Sequence, residues 1–492
     1  MPRLHPDRLN QLPAAVQRPQ YDRAALRWGI VHMGIGAFMR AHLAVATEAA
    51  LAAGDLRWGI VGVSLRQADT RDALEPQGGL YTVAVRDADA QGQPRQTLQV
   101  LGAVGRVLVA PESPTAVLAQ IAAPDTRIVS LTITEKGYCH DPASGRLRLD
   151  HPDIAHDLQH PQAPRTAIGF MVWALQQRFA NGLPGLTLMS LDNLPANGQV
   201  LQGAVLDFAR RIDSTLAERI ACECRFPCSM VDRIVPRTSD ADRALVSAAL
   251  GCDDQWPVMA EPFFDWAVED QFANGHPDWG YARIVHEAAP WERLKLRMVN
   301  GTHSCIAYLG AMAGWNTVDV AMRQPALTQF LQTLMQHEIE PTLPALPGLD
   351  LAAYRSSLLE RFANPALAHR TQQIAMDGSQ KLPQRWLGTV RDRLATQHSI
   401  DHLALGLAAW VHYLRGVNES GEAYTVDDPH AAALQALYRE TVGQHTHVES
   451  VQRMLAYAPV FGDLAGNTTV AQAVLPHLQR LQTLGVQASL LA

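Results

Sequence analysis

"RWGIVHMGIGAFMRAHLAVATEAALAAG", residues Arg27–Gly54, decides the fold. A short apolar run leads into a glycine turn, and about fifteen alanine-rich residues of helical character then close on Gly54. The stretch predicts strand, turn and helix. A second apolar run, "WGIVGVSL" (58–65), follows, and "GLYTVAVRD" near Tyr81 and "TLQVLGAV" near Val100 read as further strands, a hairpin added to the main sheet. "TRIVSLTIT" (126–134), "LTLMSLDN" (186–193) and "CSMVDRIVP" (228–236) continue the series, with crossover helices such as "TAIGFMVWALQQRFANG" between them. Strands alternating with helices predict an α/β, doubly wound, Rossmann-type parallel sheet.

The texture changes after about residue 285. "PALTQFLQTLMQHEIEPTL", "AAYRSSLLERFAN" and "HLALGLAAWVHYLRGV" have helical spacing and few β-branched runs. The expected organisation is therefore a Rossmann-type domain over 1–285 and a mainly helical domain over 286–492. A chain of 492 residues exceeds one ordinary core.

Composition excludes several classes of function. With 47% hydrophobic and 18% charged residues the chain reads as globular, and a net charge of -7 gives no electrostatic case for nucleic acid or an anionic membrane. No apolar run is long enough to span a bilayer and the N-terminal segment lacks a signal-type apolar core, so the expected location is cytoplasmic and the partner a small molecule. Oligomeric state is not legible, and a monomer is compatible with the sequence. The six cysteines do not make a disulfide framework. Cys222, Cys224 and Cys228 in "CECRFPC" have the ligand type for zinc but lack a second paired knuckle, so buried thiols and no metal are expected.

Gly34-x-Gly36 lies between a strand and a helix, where backbone N–H groups and a helix start can face a pyrophosphate. The third glycine of the usual fingerprint falls at Met39, so the match is incomplete. Cofactor contacts are expected from this turn through Phe38 and Arg40. The second strand ends at Ser64-Leu65-Arg66 with Asp69 as the nearest acid, which leaves NAD and NADP both open. Polar residues just beyond the other strands, Glu135 and Lys136, Asp192 and Asn193, and Asp232, form a candidate rim over a cofactor.

"KLRMVNGTHS" (295–304) sets a cation, a carboxamide and an imidazole on helix-compatible sequence. At roughly 100° per residue, with Lys295 at 0°, Glu292 falls near 60°, His303 near 80° and Asn300 near 140°. Oxidising a secondary alcohol needs a proton acceptor, donors for the developing alkoxide and a hydride acceptor. Lys295 can take the proton, Asn300 can donate to the oxygen, His303 can orient hydroxyls and Glu292 can relay the proton to water. A non-catalytic nucleotide-binding module would lack such a set.

These residues resemble those of the mannitol dehydrogenase family of polyol-specific long-chain dehydrogenases and reductases, which also contains fructuronate (mannonate) oxidoreductases. The resemblance is carried by "IVHMGIGAFMRAH", "GLYTV", "SLTITEKGYC", "SLDNLPANG", "FPCSMVDRIVP", "EPFFDWAVED", "KLRMVNGTHS" and "IAMDGSQKLPQR". It implies a metal-independent mechanism with NAD and an active site in a cleft between a Rossmann-type and a helical domain. It also implies Lys295 as catalytic base, Asn193 and Asn300 as oxyanion donors, and substrate contacts from the segment holding Lys381. "TEKGYC" and "GSQKLPQR" look like the fructuronate reductase branch. A substrate carboxylate would favour cations, and Arg370, Lys381 and Arg385 are the candidates. The expected reaction is the NAD-dependent interconversion of D-fructuronate and D-mannonate. The alternative is D-mannitol or arabinitol oxidation to ketoses such as D-fructose.

Overall fold

The computed structural model describes residues 1–88, 93–141, 145–367 and 369–491. They form two compact units, one of Met1–Asp87 with Arg95–Ala289 and one of Ala88–Pro94 with Pro290–Ala492.

The strands are β1 (Ile30–Met33), β2 (Ile60–Ser64), β3 (Tyr81–Ala88), β4 (Pro94–Leu101), β5 (Val104–Val109), β6 (Ile128–Leu131), β7 (Thr187–Ser190), β8 (Ser229–Asp232), β9 (Val258–Ala260), β10 (Asp265–Glu269) and β11 (Arg283–Val285). Five of them make an all-parallel sheet in the order β5-β2-β1-β6-β7. Ile30 is in register with Ile60 on one side and Ile128 on the other. Side chains alternate between the two faces as the pleat requires. Val31, Met33, Val129, Leu131 and Leu188 enter one core with Phe170 and Phe208, and Ile30, Ile60, Ile128 and Met189 enter the other with Leu43 and Leu51. Both faces are covered, which explains why these strands read as continuous apolar runs. The chain order reverses between β1 and β6, and a crevice at that point of an open α/β sheet is where ligands bind.

Two expectations about strand partners are corrected. The β3–β4 ribbon is not an extension of the main sheet, because β3 lies between β4 and β9 in a separate three-stranded sheet. The place beside β2 is taken by β5, which is separated from β4 by only two residues. Strand β8 also leaves the parallel series and pairs antiparallel with β10 in a third sheet. An apolar run specifies a strand; its neighbour is set by connections and packing that a single segment does not carry.

In the second unit the helix Asp401–Tyr413 packs on Thr302–Ala313 and on Thr468–Leu491, burying Leu403, Leu407, Val411, Leu478 and Leu481. Among the described residues three segments are π-helical: Lys295–Gly301, Leu334–Ile339 and Pro383–Leu387. The middle one supplies Glu338, whose carboxylate accepts the N–H groups of His402 (2.7 Å) and Leu403 (2.8 Å) at the start of Asp401–Tyr413. A negative charge is stabilising at a helix N-terminus.

Glu48 is one of the buried acids of the first unit. On the helix Leu43–Ala52, its Oε2 accepts the N–H groups of Gly102 and Ala103 at 2.8 Å each and the hydroxyl of Tyr21 at 2.9 Å. Burial pushes its pKa up to about 7, against the pull of these donors. A carboxyl whose folded pKa exceeds its unfolded value adds stability at low pH that is lost as pH rises through the folded value. The stability difference between Glu48→Gln and wild type should therefore grow in favour of the variant by on the order of 3 kcal/mol from pH 4.5 to 7.5. Urea unfolding at a series of pH values measures it, and a difference independent of pH would contradict the assignment.

Candidate active site

In the first unit the carboxyl ends of β1, β2 and β6 open into a cleft of about 1390 Å³ lined by Gly34, Ile35, Gly36, Arg66, Asp69, Thr132, Thr134, Lys136 and Cys139, among others. Gly34 has φ +91°, and a Cβ there would meet the Thr132 carbonyl oxygen at 2.1 Å, so the turn admits only glycine. At Gly36 the same test meets nothing nearer than the Gly34 carbonyl oxygen at 3.9 Å. The protein's own packing does not demand glycine at 36, but a pyrophosphate passing over the turn would. The residues therefore fit a dinucleotide: Gly34 and Gly36 would hold its phosphates, with Arg66 and Asp69 at the end of β2.

The far wall is held under strain. Thr134 has φ 62° and Cys139 φ 51°, on either side of the short helical turn Glu135–Tyr138. A β-branched residue at positive φ persists only when its surroundings over-determine it. Asp192 does this, accepting the N–H groups of Ile133 (3.0 Å) and Thr134 (2.9 Å) and the hydroxyl of Tyr138 (2.7 Å). Burial pushes the Asp192 pKa up, and those backbone donors and Tyr138 pull against it. In the D-N pair Asp192 is thus the clamp, while Asn193 is exposed. Asn197 ties the same loop to β8, donating to the carbonyl oxygens of Asp192 (3.0 Å) and Ser229 (2.8 Å).

Three expected cofactor residues lie elsewhere. Arg40 is buried, donating to the Trp256 carbonyl at 2.5 Å and lying over the Tyr81 ring at 5.2 Å. Phe38 stacks on His42 with ring centroids 5.0 Å apart. Asp232 is buried at the end of β8, in the third sheet. Glu135 is exposed on its turn, and its neighbour Lys136 lines the cleft.

In the second unit Lys295 and His303 are buried and Glu292 and Asn300 half-buried. The segment Lys295–Gly301 is a π-helix, so the uniform α-helical wheel is corrected. A π-helix closes its hydrogen bonds from i to i+5. Asn300 follows Lys295 by five residues, and the pair shares nearly one face rather than lying about 140° apart. His303 lies beyond, in the α-helix Thr302–Ala313, with its ring 4.2 Å from that of Phe362 and edge-on to His369 at 5.9 Å.

A second π-helix braces the first. Arg385 donates from Nη1 to the Asn300 carbonyl (3.2 Å) and to Ser304 Oγ (2.9 Å), and Trp386 Nε1 donates to the Gly301 carbonyl (2.9 Å). A carbonyl oxygen has two lone pairs, so each of these can take a side-chain donor at the end of the turn. Arg385 is therefore engaged in holding Asn300. Arg370 is exposed at the start of the helix Thr371–Ala375. Lys381 is half-buried with Nζ 3.3 Å from the Ile374 carbonyl; burial first, and then Arg385, push its pKa down to about 8 while Asp377, Asp428 and Asp427 pull it up.

Of the cysteines, Cys224 and Cys228 are buried and Cys222 is exposed, and none of the three is in a disulfide.

The mannitol dehydrogenase Rossmann-domain model matches residues 28–281, and the mannitol dehydrogenase C-terminal-domain model matches 287–482. The chain belongs to the mannitol dehydrogenase family. It is thus an NAD-dependent oxidoreductase acting on CH–OH groups. It is 43% identical to the D-mannonate oxidoreductase of Escherichia coli (strain K12) over 96% of both chains. The Pseudomonas fluorescens mannitol 2-dehydrogenase, solved in ternary complex with NAD and D-mannitol, superposes with a TM-score of 0.85 at 38% identity, covering 99% of this chain and 98% of that one. A D-sorbitol dehydrogenase in substrate-free form superposes with a TM-score of 0.91 at 34% identity over 100% of both chains.

The brace distinguishes two roles for Arg385 in this family member. If it holds Asn300, Arg385→Met should lower kcat about tenfold or more for sugar acids and neutral ketoses alike, because one lost charged hydrogen bond is worth about 1.5–3 kcal/mol. Parallel steady-state kinetics on both substrate types measure this. A rise in KM confined to the acid would instead make Arg385 a carboxylate ligand.

Proposed function

We propose that the chain interconverts D-fructuronate and D-mannonate in the cytoplasm, with Lys295 as general acid and base. NAD, when bound, supplies the hydride acceptor, and in its reduced form the donor. In oxidation Lys295 takes the hydroxyl proton and Glu292, one turn earlier, passes it towards water. Asn193 and Asn300 donate hydrogen bonds to the oxygen as it gains negative charge, the arrangement that most lowers such barriers. His303 orients the neighbouring hydroxyls, and Lys381 receives the carboxylate. In reduction protonated Lys295 returns the proton to the same oxygen.

The observation that carries the sugar-acid reading is Lys381. It is a half-buried ammonium whose charged form is disfavoured by burial and by Arg385, and a substrate carboxylate would offset both. The 43% identity to a D-mannonate oxidoreductase supports the same reading. One observation favours the alternative, D-mannitol or another acyclic polyol with a fructose-like product. Of the three cations expected to meet a carboxylate, Arg370 is exposed and Arg385 is engaged with Asn300 and Ser304.

The ratio of kcat/KM for D-fructuronate to that for D-fructose separates the two. Both reductions need protonated Lys295, so its titration cancels, and kcat/KM reports groups of the free enzyme. Lys381 is charged below about pH 8. The ratio should be large and flat at neutral pH and fall as pH rises through about 8. Preference for the uncharged ketose at every pH would establish the polyol reading instead.

A further inference from the structure

Strand β1 carries one polar side chain, His32, with no exposure to solvent and no part in the chemistry above. Its Nδ1 lies 2.8 Å from Ser130 Oγ, its Nε2 lies 2.9 Å from Thr132 Oγ1, and Thr132 Oγ1 donates to the Gly34 carbonyl at 2.7 Å. Ser130 is the β6 partner of His32 in register, so the network crosses the centre of the sheet and ends on the glycine turn.

Counting donors fixes the direction of every bond. A threonine hydroxyl has one proton, and here it goes to the Gly34 carbonyl, so Thr132 Oγ1 accepts from His32 Nε2–H. Burial holds the imidazole neutral by pushing its pKa down to about 3, against the pull of the Gly34 carbonyl. A neutral ring has a single N–H, so Nδ1 is the acceptor and Ser130 is its donor. The result is a one-way chain: Ser130 to His32, His32 to Thr132, Thr132 to Gly34.

The Gly34 carbonyl also accepts the N–H of Gly36 at 2.7 Å, and the N–H of Gly34 goes to the Val63 carbonyl at 2.9 Å. With two donors on its oxygen, the Gly34 carbonyl has no free lone pair and no freedom to flip. The φ of +91° at Gly34 and the direction of the peptides after Gly36 follow from it.

We propose that His32 is the positioning residue of the dinucleotide turn, orienting the Thr132 hydroxyl so that the Gly34 carbonyl stays fixed before the cofactor arrives. The inference rests on the family's use of NAD at this turn. Because His32 does not line the cleft, any effect of replacing it on cofactor affinity is transmitted through the chain of hydrogen bonds.

The test compares wild type, His32→Phe and His32→Gln by NADH fluorescence titration and steady-state kinetics, with circular dichroism and melting as controls. His32→Phe removes both ring nitrogens, while Gln keeps an N–H donor and an acceptor. The expected result is NADH affinity and KM weakened about five- to tenfold in His32→Phe, kcat at saturating NADH changed much less, and affinity largely restored in His32→Gln. A folded His32→Phe that binds NADH as wild type does would overturn the inference and leave the NAD reading intact. Wild type that binds no dinucleotide would overturn both. Should His32→Phe fail to fold, 15N-histidine spectra of wild type, assigned by the signal missing in His32→Gln, decide. A neutral Nε2–H ring that does not titrate between pH 5 and 8 supports the chain, and an Nδ1–H or titrating ring overturns it.

Discussion

The chemistry proposed for the second unit depends on the π-helical turn at Lys295–Gly301 and on the donors that hold its end. An α-helix would satisfy each carbonyl internally and would turn Asn300 well away from Lys295. The π register brings the pair to one face, and the Asn300 and Gly301 carbonyls each take a donor from outside the turn. Arg385 and Trp386 meet them, and they do so from a second π-helix at Pro383–Leu387. A hydrogen bond from a charged donor contributes about 1.5–3 kcal/mol, so the second turn adds directly to the stability of the first. The functional face and its brace are one construction.

The first unit solves a similar problem with different groups. A parallel sheet positions the glycine turn, but a left-handed glycine and a left-handed threonine on either side of a cleft need local enforcement. At Gly34 this comes from the Thr132 hydroxyl and the buried imidazole behind it. At Thr134 it comes from the Asp192 carboxylate. Both walls of the cleft are thus fixed by polar side chains, His32 buried and Thr132 and Asp192 half-buried, whose hydrogen bonds select one geometry.

What was legible in the sequence was local. The strand, glycine turn and helix at 27–54 announced a doubly wound sheet, and the helical texture beyond 285 announced the second half. Strand partners were not legible, since β8 and the β3–β4 ribbon have the same apolar character as the strands of the main sheet. The wheel placed Lys295, His303 and Asn300 only approximately, because it imposes one angular step and carries no sign of a π turn; "KLRMVNG" has no glycine or proline at its start to mark the irregularity. Arg385 looked like a ligand for a carboxylate because a cation's partner is invisible in one dimension. Asp192 reads in the sequence as one of the rim residues, with nothing to mark it as the clamp of Thr134, and His32 lies inside an apolar strand. A lone histidine in "GIVHMG" was the signal that could have found it.

The central claim is that catalysis depends on the π register between Lys295 and Asn300. Removing both brace donors at once, with Arg385→Met and Trp386→Phe, takes away what holds the turn in its π register and should let it close as α, with Lys295 and Asn300 about 140° apart. Single-turnover reduction of D-fructuronate and of D-fructose by preloaded NADH reads the chemical step directly. The account predicts a loss of about a thousandfold or more with either ketose, with NADH affinity retained. Turnover within tenfold of wild type in a folded double variant would contradict it.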